Sequence, residues 1–300
     1  MNSQKYSVIA NPFAGKHDVK DRVSYLTNEL KQANIVYKTF YTDTPLHASE
    51  IAKRVSKNSS AILVVGGDGT INEVISGMMK CGARAKIGIV PSGSGNDLIK
   101  PLLISPELEK SVSTIIKGTT KKIDVGRCNE RYFMNIMGVG FDAAVGARMH
   151  QLRCKAKTKK GKSFYSKALF HTIMHYKSIP LKVEIDGKKY HKKFFLVSIA
   201  NGTTFGGDFV IAPMADICDG SLCLVSIESI SKIRFFMHLN KVKKGRILKL
   251  PEVDYEKCKK LTIRSTVEIV AQLDGEYYCA KKFDISVIPA GLEVFVPVIK

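Results

Sequence analysis

Over the first 120 residues, short apolar runs alternate with stretches whose apolar positions recur every three or four residues. Residues 7–10, 36–41, 61–65 and 87–90 have the length and continuity of buried strands, and 18–33, 71–79 and 107–117 carry helical spacing. Residues 98–103 are expected to be helical too, and Thr44 is expected to cap a helix with Pro45 at its first position, where a missing N–H costs nothing. Such alternation predicts a parallel sheet wound on both faces by helices. Near residue 120 the period changes to two. Leu181, Val183 and Ile185 alternate with Lys182, Glu184 and Asp186, and Asp186-Gly187 turns the chain back toward 194–200. Further strands are expected at 222–227, 261–265, 267–273, 283–288 and 292–298, with helical stretches at about 164–176 and 230–242. The pattern describes an α/β domain over residues 1–125 and a mostly β domain over 126–289.

The strand-to-helix junctions of the first domain carry the candidate chemistry. Run 61–65 enters Gly66-Gly67-Asp68-Gly69-Thr70-Ile71-Asn72-Glu73, where glycines let backbone N–H groups approach an anion and the next helix points its positive end the same way. A nucleotide phosphate fits that description, although an ordinary tight turn has the same ingredients. Asp68 repels phosphate unless a cation stands between them, a conflict that a magnesium–nucleotide complex resolves. Two more strands run into similar loops: 87–90 into Pro91-Ser92-Gly93-Ser94-Gly95-Asn96-Asp97, and 7–10 into Asn11-Pro12-Phe13-Ala14-Gly15. The carboxyl ends of neighbouring parallel strands face one crevice, so the three loops are expected to line a single cleft.

Composition narrows the class. Three hundred residues, 45% apolar and 25% charged, suit a soluble protein of about two domains. No stretch reads as a membrane span or a signal peptide, which predicts a cytoplasmic protein. Seven cysteines without C-x-x-C pairing read as reduced thiols. The formal charge of +20 is uneven: residues 1–150 hold 20 basic and 13 acidic residues, residues 151–300 hold 27 and 14, and 148–193 alone hold 14 and 2. Such a patch draws an anionic membrane surface at roughly 1 kcal/mol per nearby basic residue. Nucleic acid would be attracted equally, and a merely solvated face also accounts for it.

Several motifs, taken in order, resemble the diacylglycerol kinase catalytic-domain family. They are Asn-Pro-x-x-Gly at 11–15, Gly-Gly-Asp-Gly-Thr-x-Asn-Glu at 66–73, Pro-x-Gly-Ser-x-Asn-Asp at 91–97 and Asn135-Ile136-Met137-Gly138-Val139-Gly140-Phe141-Asp142. Gly206-Gly207-Asp208, Ala212-Pro213-x-Ala215 with Asp219-Gly220, and Asp274-Gly275-Glu276 follow. The chain is most similar to the soluble bacterial lipid kinases of that family, which also includes sphingosine and ceramide kinases. The motif at 66–73 alone is shared with NAD kinases and resembles one in phosphofructokinases; the ordered set is more specific. The resemblance implies an NAD kinase/phosphofructokinase-like, doubly wound first domain, to which residues of about 290–300 return, and an antiparallel β-sandwich as the second.

It also implies an ATP-dependent lipid kinase acting on a membrane-lipid hydroxyl, with diacylglycerol the leading acceptor and phosphatidic acid the product. ATP would contact Gly66, Gly67, Asp68, Gly69, Thr70, Ile71, Asn72 and Glu73, helped by Asn11, Pro12, Phe13, Ala14, Gly15, Thr42, Ser94 and Asn96. Ser94 stands for a usual threonine and Ala14 for a commoner serine, which removes one possible phosphate donor. Asp68, Asp97 and Asp124 would organise catalytic magnesium through water. The side chain of Asp219, with the carbonyls of Asp216 and Ser221, would hold a structural magnesium ion. Each aspartate reads equally as a turn or capping residue. Glu276 would accept the hydroxyl proton, with Asp68 the other catalytic carboxylate; by position alone Glu276 is a soluble hairpin tip.

The family further implies a homodimer through the β domain, no specific nucleic-acid partner, and a cytoplasmic enzyme that meets an anionic membrane surface transiently. Alternatives are a sphingoid-base or other lipid kinase, an NAD kinase, and a non-enzymatic basic membrane-binding protein. Two patterns are set aside. Gly138-x-Gly140-x-x-Ala143 lacks an acidic ribose partner about twenty positions later, and His171 and His175, four apart, lack the glutamate of a zinc-protease helix.

Overall fold

The computed structural model describes residues 5–15, 18–155, 171–206, 209–228 and 249–298, with scattered positions between 230 and 246. β1 (Lys5–Ala10), α1 (Val19–Gln32), β2 (Val36–Tyr41), α2 (His47–Val55), β3 (Ala61–Gly66), α3 (Asp68–Cys81), β4 (Lys86–Pro91) and α4 (Leu108–Lys117) alternate as the pattern predicts. The strands run parallel in the order β2-β1-β3-β4. In β3, Ile62 and Val64 pack on one face with residues of α2 and α3, while Ala61, Leu63 and Val65 pack on the other with residues of α1 and α4. Both faces are covered, so the strands read as continuous apolar runs.

Two helix expectations are corrected. α2 starts at His47 after a left-handed Leu46 (φ 67) with no side-chain cap of its own. Its cap comes from α3, whose Glu73 Oε2 accepts the Ala48 N–H at 3.2 Å. Residues 98–103 wind as successive turns rather than a helix. Pro101 lacks an N–H and disfavours helical backbone at Lys100.

After α4 come β5 (Thr119–Cys128), β6 (Arg131–Phe133), β7 (Ile136–Gly140), α5 (Phe141–Lys155), β8 (Ile179–Ile185), β9 (Lys188–Phe194) and β10 (Leu196–Ala200). The short β11 (Thr204–Phe205) and β12 (Phe209–Val210) precede β13 (Leu222–Ile227), β14 (Val253–Cys258), β15 (Lys260–Leu273) and β16 (Glu276–Val296). β14-β13-β10-β7-β15 form an antiparallel layer, and the β8–β9 hairpin pairs with the first half of β15. A register shift between Arg264 and Ile269 lets β15 serve both, with Val183, Val197, Leu224, Ile263 and Phe283 packed in one core. The expected strands 261–265 and 267–273 are therefore halves of one strand.

Likewise 283–288 and most of 292–298 belong to the single strand β16, irregular between Ile288 and Leu292, where Ala290 adopts φ 50. The end of β16 lies parallel to β4 at Val294↔Ile87. Among the described residues the sheet is thus continuous through fourteen strands, and residues 125 and 126 lie inside β5, which pairs with both halves of β16. The stretch 164–170 and much of 230–242 lie outside the described residues; 171–175 is helical. Cys81, Cys128, Cys218, Cys223, Cys258 and Cys279 are free thiols.

Gly77 marks the α2–α3 crossing, where a side-chain carbon would sit 2.3 Å from the Ser49 carbonyl oxygen. Gly77→Ala gains about 1 kcal/mol of helix propensity but must push two packed helices apart. With an overpacking cost of about 1–3 kcal/mol, urea unfolding is expected to show a net loss of up to about 2 kcal/mol.

Candidate active site

Glycine is required where the three loops touch. A side-chain carbon on Gly15, at φ 71, would lie 1.6 Å from the Ser92 carbonyl oxygen; on Gly67 it would lie 2.9 Å from Gly93 Cα, and on Gly93, 2.7 Å from Gly67 Cα. The loops after β1, β3 and β4 are therefore in backbone contact. Asn11 Nδ2 donates to Thr70 Oγ1 (3.0 Å), the Ser92 N–H to Gly66 O (2.8 Å), and the Thr42 N–H to Ala10 O (3.0 Å). Asn96 closes its loop by accepting the Gly93 N–H and donating to Gly93 O, both at 3.0 Å. Pro12, Phe13 and Ser94 are exposed, while Ala14 packs against the core beside α1.

α3 begins at Asp68, three residues earlier than its spacing predicts, with Gly67 at the N-cap and no side-chain cap. Its first amides are thereby left to the loop cluster. The early start also redirects three expected ATP contacts: Ile71 packs in the core, Asn72 Nδ2 reaches Asp274, and Glu73 caps α2. Asp68 Oδ1 accepts the N–H groups of Asp97 (2.7 Å) and Leu98 (3.4 Å). Burial, and then the negative Asp97, push its carboxyl above the usual carboxylate range.

A side-chain carbon on Gly95 would meet Oδ2 of both Asp68 (3.0 Å) and Asp97 (3.7 Å), so two carboxylates face one small volume. Lys100 Nζ lies 2.7 Å from Asp97. Asp124 keeps other company. Buried, it accepts the N–H groups of Gly220 (2.6 Å) and Ala290 (2.8 Å), tying loop 216–221 to the bend of β16.

The β15–β16 turn has Asp274 at φ 48 and Gly275 at φ 92, the two positive values of a tight hairpin. Asp274 is no soluble tip. Its Oδ2 accepts the Met134 N–H (2.7 Å) and Asn72 Nδ2 (3.1 Å), and its Oδ1 accepts the N–H groups of Asn135 (3.0 Å) and Ile136 (2.8 Å). Burial still outweighs these donors and pushes its pKa up to about 6. The clamp fixes the hairpin to α3 and carries Glu276 to that helix's first turn. A side-chain carbon on Gly69 would lie 3.9 Å from Glu276 Oε1. The pKa of Glu73 is raised by burial first, and the charge of Glu276 adds to the rise.

Loop 216–221 is braced by its own side chains and by β14. Asp219 Oδ1 accepts the Ser221 N–H (2.9 Å) and hydroxyl (2.6 Å), Oδ2 is ion-paired with Lys257 Nζ at 2.6 Å, and Asp216 Oδ1 accepts the Cys218 N–H (3.0 Å). Among the described residues no three His, Cys, Asp or Glu side chains gather as a metal cage. His171 and His175 stack ring on ring at 4.4 Å, and Gly138 makes room for Asp142 rather than a dinucleotide.

The profile of the diacylglycerol kinase catalytic domain matches residues 5–128, and that of the YegS C-terminal NAD kinase beta sandwich-like domain matches residues 135–296. The chain belongs to the diacylglycerol kinase catalytic-domain family. It is therefore a lipid kinase with an α/β first domain and a mostly antiparallel β second domain. A diacylglycerol kinase of Staphylococcus aureus (strain bovine RF122 / ET3-1) is 27% identical over 291 residues, covering 97% of this chain and 91% of that protein. One of Staphylococcus carnosus (strain TM300) is 27% identical over 97% of this chain and 94% of its own length. A crystal structure of a diacylglycerol kinase from Bacillus anthracis str. Sterne has a TM-score of 0.77 at 20% identity, covering 99% of this chain and 98% of that one, a likeness that speaks for the fold alone.

Asp274→Ala leaves the Met134, Asn135 and Ile136 N–H groups without their acceptor and the Asn72 amide with the Tyr132 carbonyl alone. Denaturant unfolding is expected to show a loss of about 3–5 kcal/mol, far beyond that of an exposed hairpin-tip substitution.

Proposed function

We propose that the enzyme transfers the γ-phosphoryl group of ATP to the hydroxyl of a membrane lipid, most favourably diacylglycerol, giving phosphatidic acid. The observation that carries this reading is the meeting of Glu276 with the uncapped first turn of α3, beside three glycine-joined loops. The loops after β1, β3 and β4 would hold the phosphates with backbone amides. The lipid oxygen then bonds to the γ-phosphorus, the bond from that phosphorus to the β,γ-bridging oxygen breaks, and the hydroxyl proton passes to Glu276. Asp68 and Asp97 face one volume and fit a magnesium ion held through water, which when bound supplies charge neutralisation beside the phosphates. Asp124 and loop 216–221 take no part in this scheme. The diacylglycerol kinases that are 27% identical over nearly the whole chain support the choice of acceptor.

The route to a lipid rests on charge. Among the described residues no helix is long and apolar enough to cross a membrane. β9 exposes Lys188, Lys189, Lys192 and Lys193, which would draw the enzyme to an anionic surface. Sedimentation with anionic vesicles is expected to weaken as salt rises, whereas zwitterionic vesicles should leave the protein in the supernatant.

Glu276→Gln is expected to lower turnover by about 10²–10⁴-fold while calorimetry shows ATP affinity unchanged. Full turnover in that variant would remove Glu276 from the reaction. Labelled γ-phosphate supplied with diacylglycerol and with a sphingoid base should appear in the organic phase with the first. Label found only with the second would reassign the acceptor.

A further inference from the structure

Asp142, in the first turn of α5, has no part in the scheme above. A side-chain carbon on Gly138 of β7 would lie 1.5 Å from Asp142 Oδ2, so the strand's glycine is what seats this carboxylate. Register places Ser198 of β10 and Gln272 of β15 on either side of Gly138. This polar row sits in a face whose other members are apolar, among them Ile136, Val145, Leu196 and Val225. Asp142 Oδ2 accepts Gln272 Nε2 at 3.4 Å, while its Oδ1 has no close hydrogen-bond partner and no contact with solvent; the Ala143 amide at the start of α5 also favours the charged carboxylate without offsetting its burial. The hydroxyls of Ser198 and Tyr176 are buried without partners as well.

A half-satisfied carboxylate in such a seat opposes stability. Burial pushes its pKa up to about 6, so near neutral pH it is held mostly ionised at a cost to the fold. An uncharged residue would suit the core better, and a feature retained against stability points toward function. The other end of Gln272 shows which function. Its Oε1 accepts the Gly275 N–H at 2.9 Å, in the Asp274–Gly275 peptide of the turn, one residue before Glu276.

We propose that Asp142 is a positioning residue for Glu276, acting through Gln272. An amide side chain can lie either way round. With its NH2 toward the Asp142 carboxylate, Gln272 turns its carbonyl to Gly275 and pins the hairpin turn that presents Glu276 to α3. With the amide reversed, two donors would face each other at Gly275 and oxygen would face oxygen at Asp142. Because Asp142 is acceptor-only when ionised, it excludes the reversed form. The inference rests on Glu276 as the proton acceptor.

The test compares Asp142→Leu, Asp142→Asn, Gln272→Met and the Asp142→Leu/Gln272→Met double variant by kcat, KM for ATP, Tm and hydrogen exchange over residues 273–277. Asp142→Leu is expected to lower kcat about a hundredfold with KM for ATP unchanged, Tm unchanged or raised, and faster exchange in the turn. Asp142→Asn should retain part of kcat, since its carbonyl can still take the Gln272 amide. Asp142→Leu should cost nothing more once Gln272 is methionine.

Full kcat in Asp142→Leu, additive losses in the double variant, or Tm and kcat falling together would each overturn the proposal, the last by revealing a purely structural role. Glu276→Gln separates the two readings. If it is inactive while Asp142→Leu is fully active, only the positioning role falls; if it is active, the assignment of Glu276 falls first.

Discussion

The working geometry depends on the buried carboxylate of Asp274. Three successive backbone amides, Met134 to Ile136, converge on it from the segment entering β7, and the Asn72 amide reaches it from α3. The receiving segment is itself held: Asn201 Nδ2 donates to the carbonyls of Asp124 (2.9 Å) and Met134 (2.7 Å), and the Asn201 and Gly202 N–H groups donate to Asn135 O. Because α3 also opens the phosphate-loop candidate, the hairpin that carries Glu276 cannot shift without disturbing that loop. A single desolvated anion thereby fixes the separation between the two halves of the cleft.

The same device recurs at smaller scale. Asp68 receives the amides at 97 and 98, Asp124 those at 220 and 290, and Glu73 caps a neighbouring helix. Each ties together chain segments far apart in sequence. Carboxylates used this way immobilise loops that would otherwise sample many conformations, so the amides of the cleft are set before a ligand arrives. Asp68 serves twice, with one oxygen bracing the neighbouring loop and the other facing the volume it shares with Asp97.

Much of the first domain was legible because its determinants are local. Continuous apolar runs gave the parallel strands, and the glycines at 15, 67 and 93 marked where loops approach one another. The unread parts depend on distant partners. Thr44-Pro45 has a helix-start composition, yet the cap comes from Glu73, twenty-eight positions after Pro45. Asp219 sits in a plausible oxygen-rich loop, yet its ion-pair partner Lys257 comes from the neighbouring strand β14, thirty-eight positions later. Asp274 and Glu276 are acidic residues in one turn, and no local pattern says which is buried; the decision lies with the amides at 134–136. Bends at 264–269 and 288–292 split two long strands into apparent pairs, because the irregular residues interrupt the alternation from which strands are read.

The route of β16 has a consequence for biosynthesis. Its last residues supply β4 with its outer neighbour, and Val294 is the point of pairing. Until that segment, some two hundred positions after β4, has been made, the nascent parallel sheet exposes one rim of unbonded peptide groups. N-terminal folding can start early but cannot finish early, and a truncated chain would carry an open, adhesive border prone to self-association.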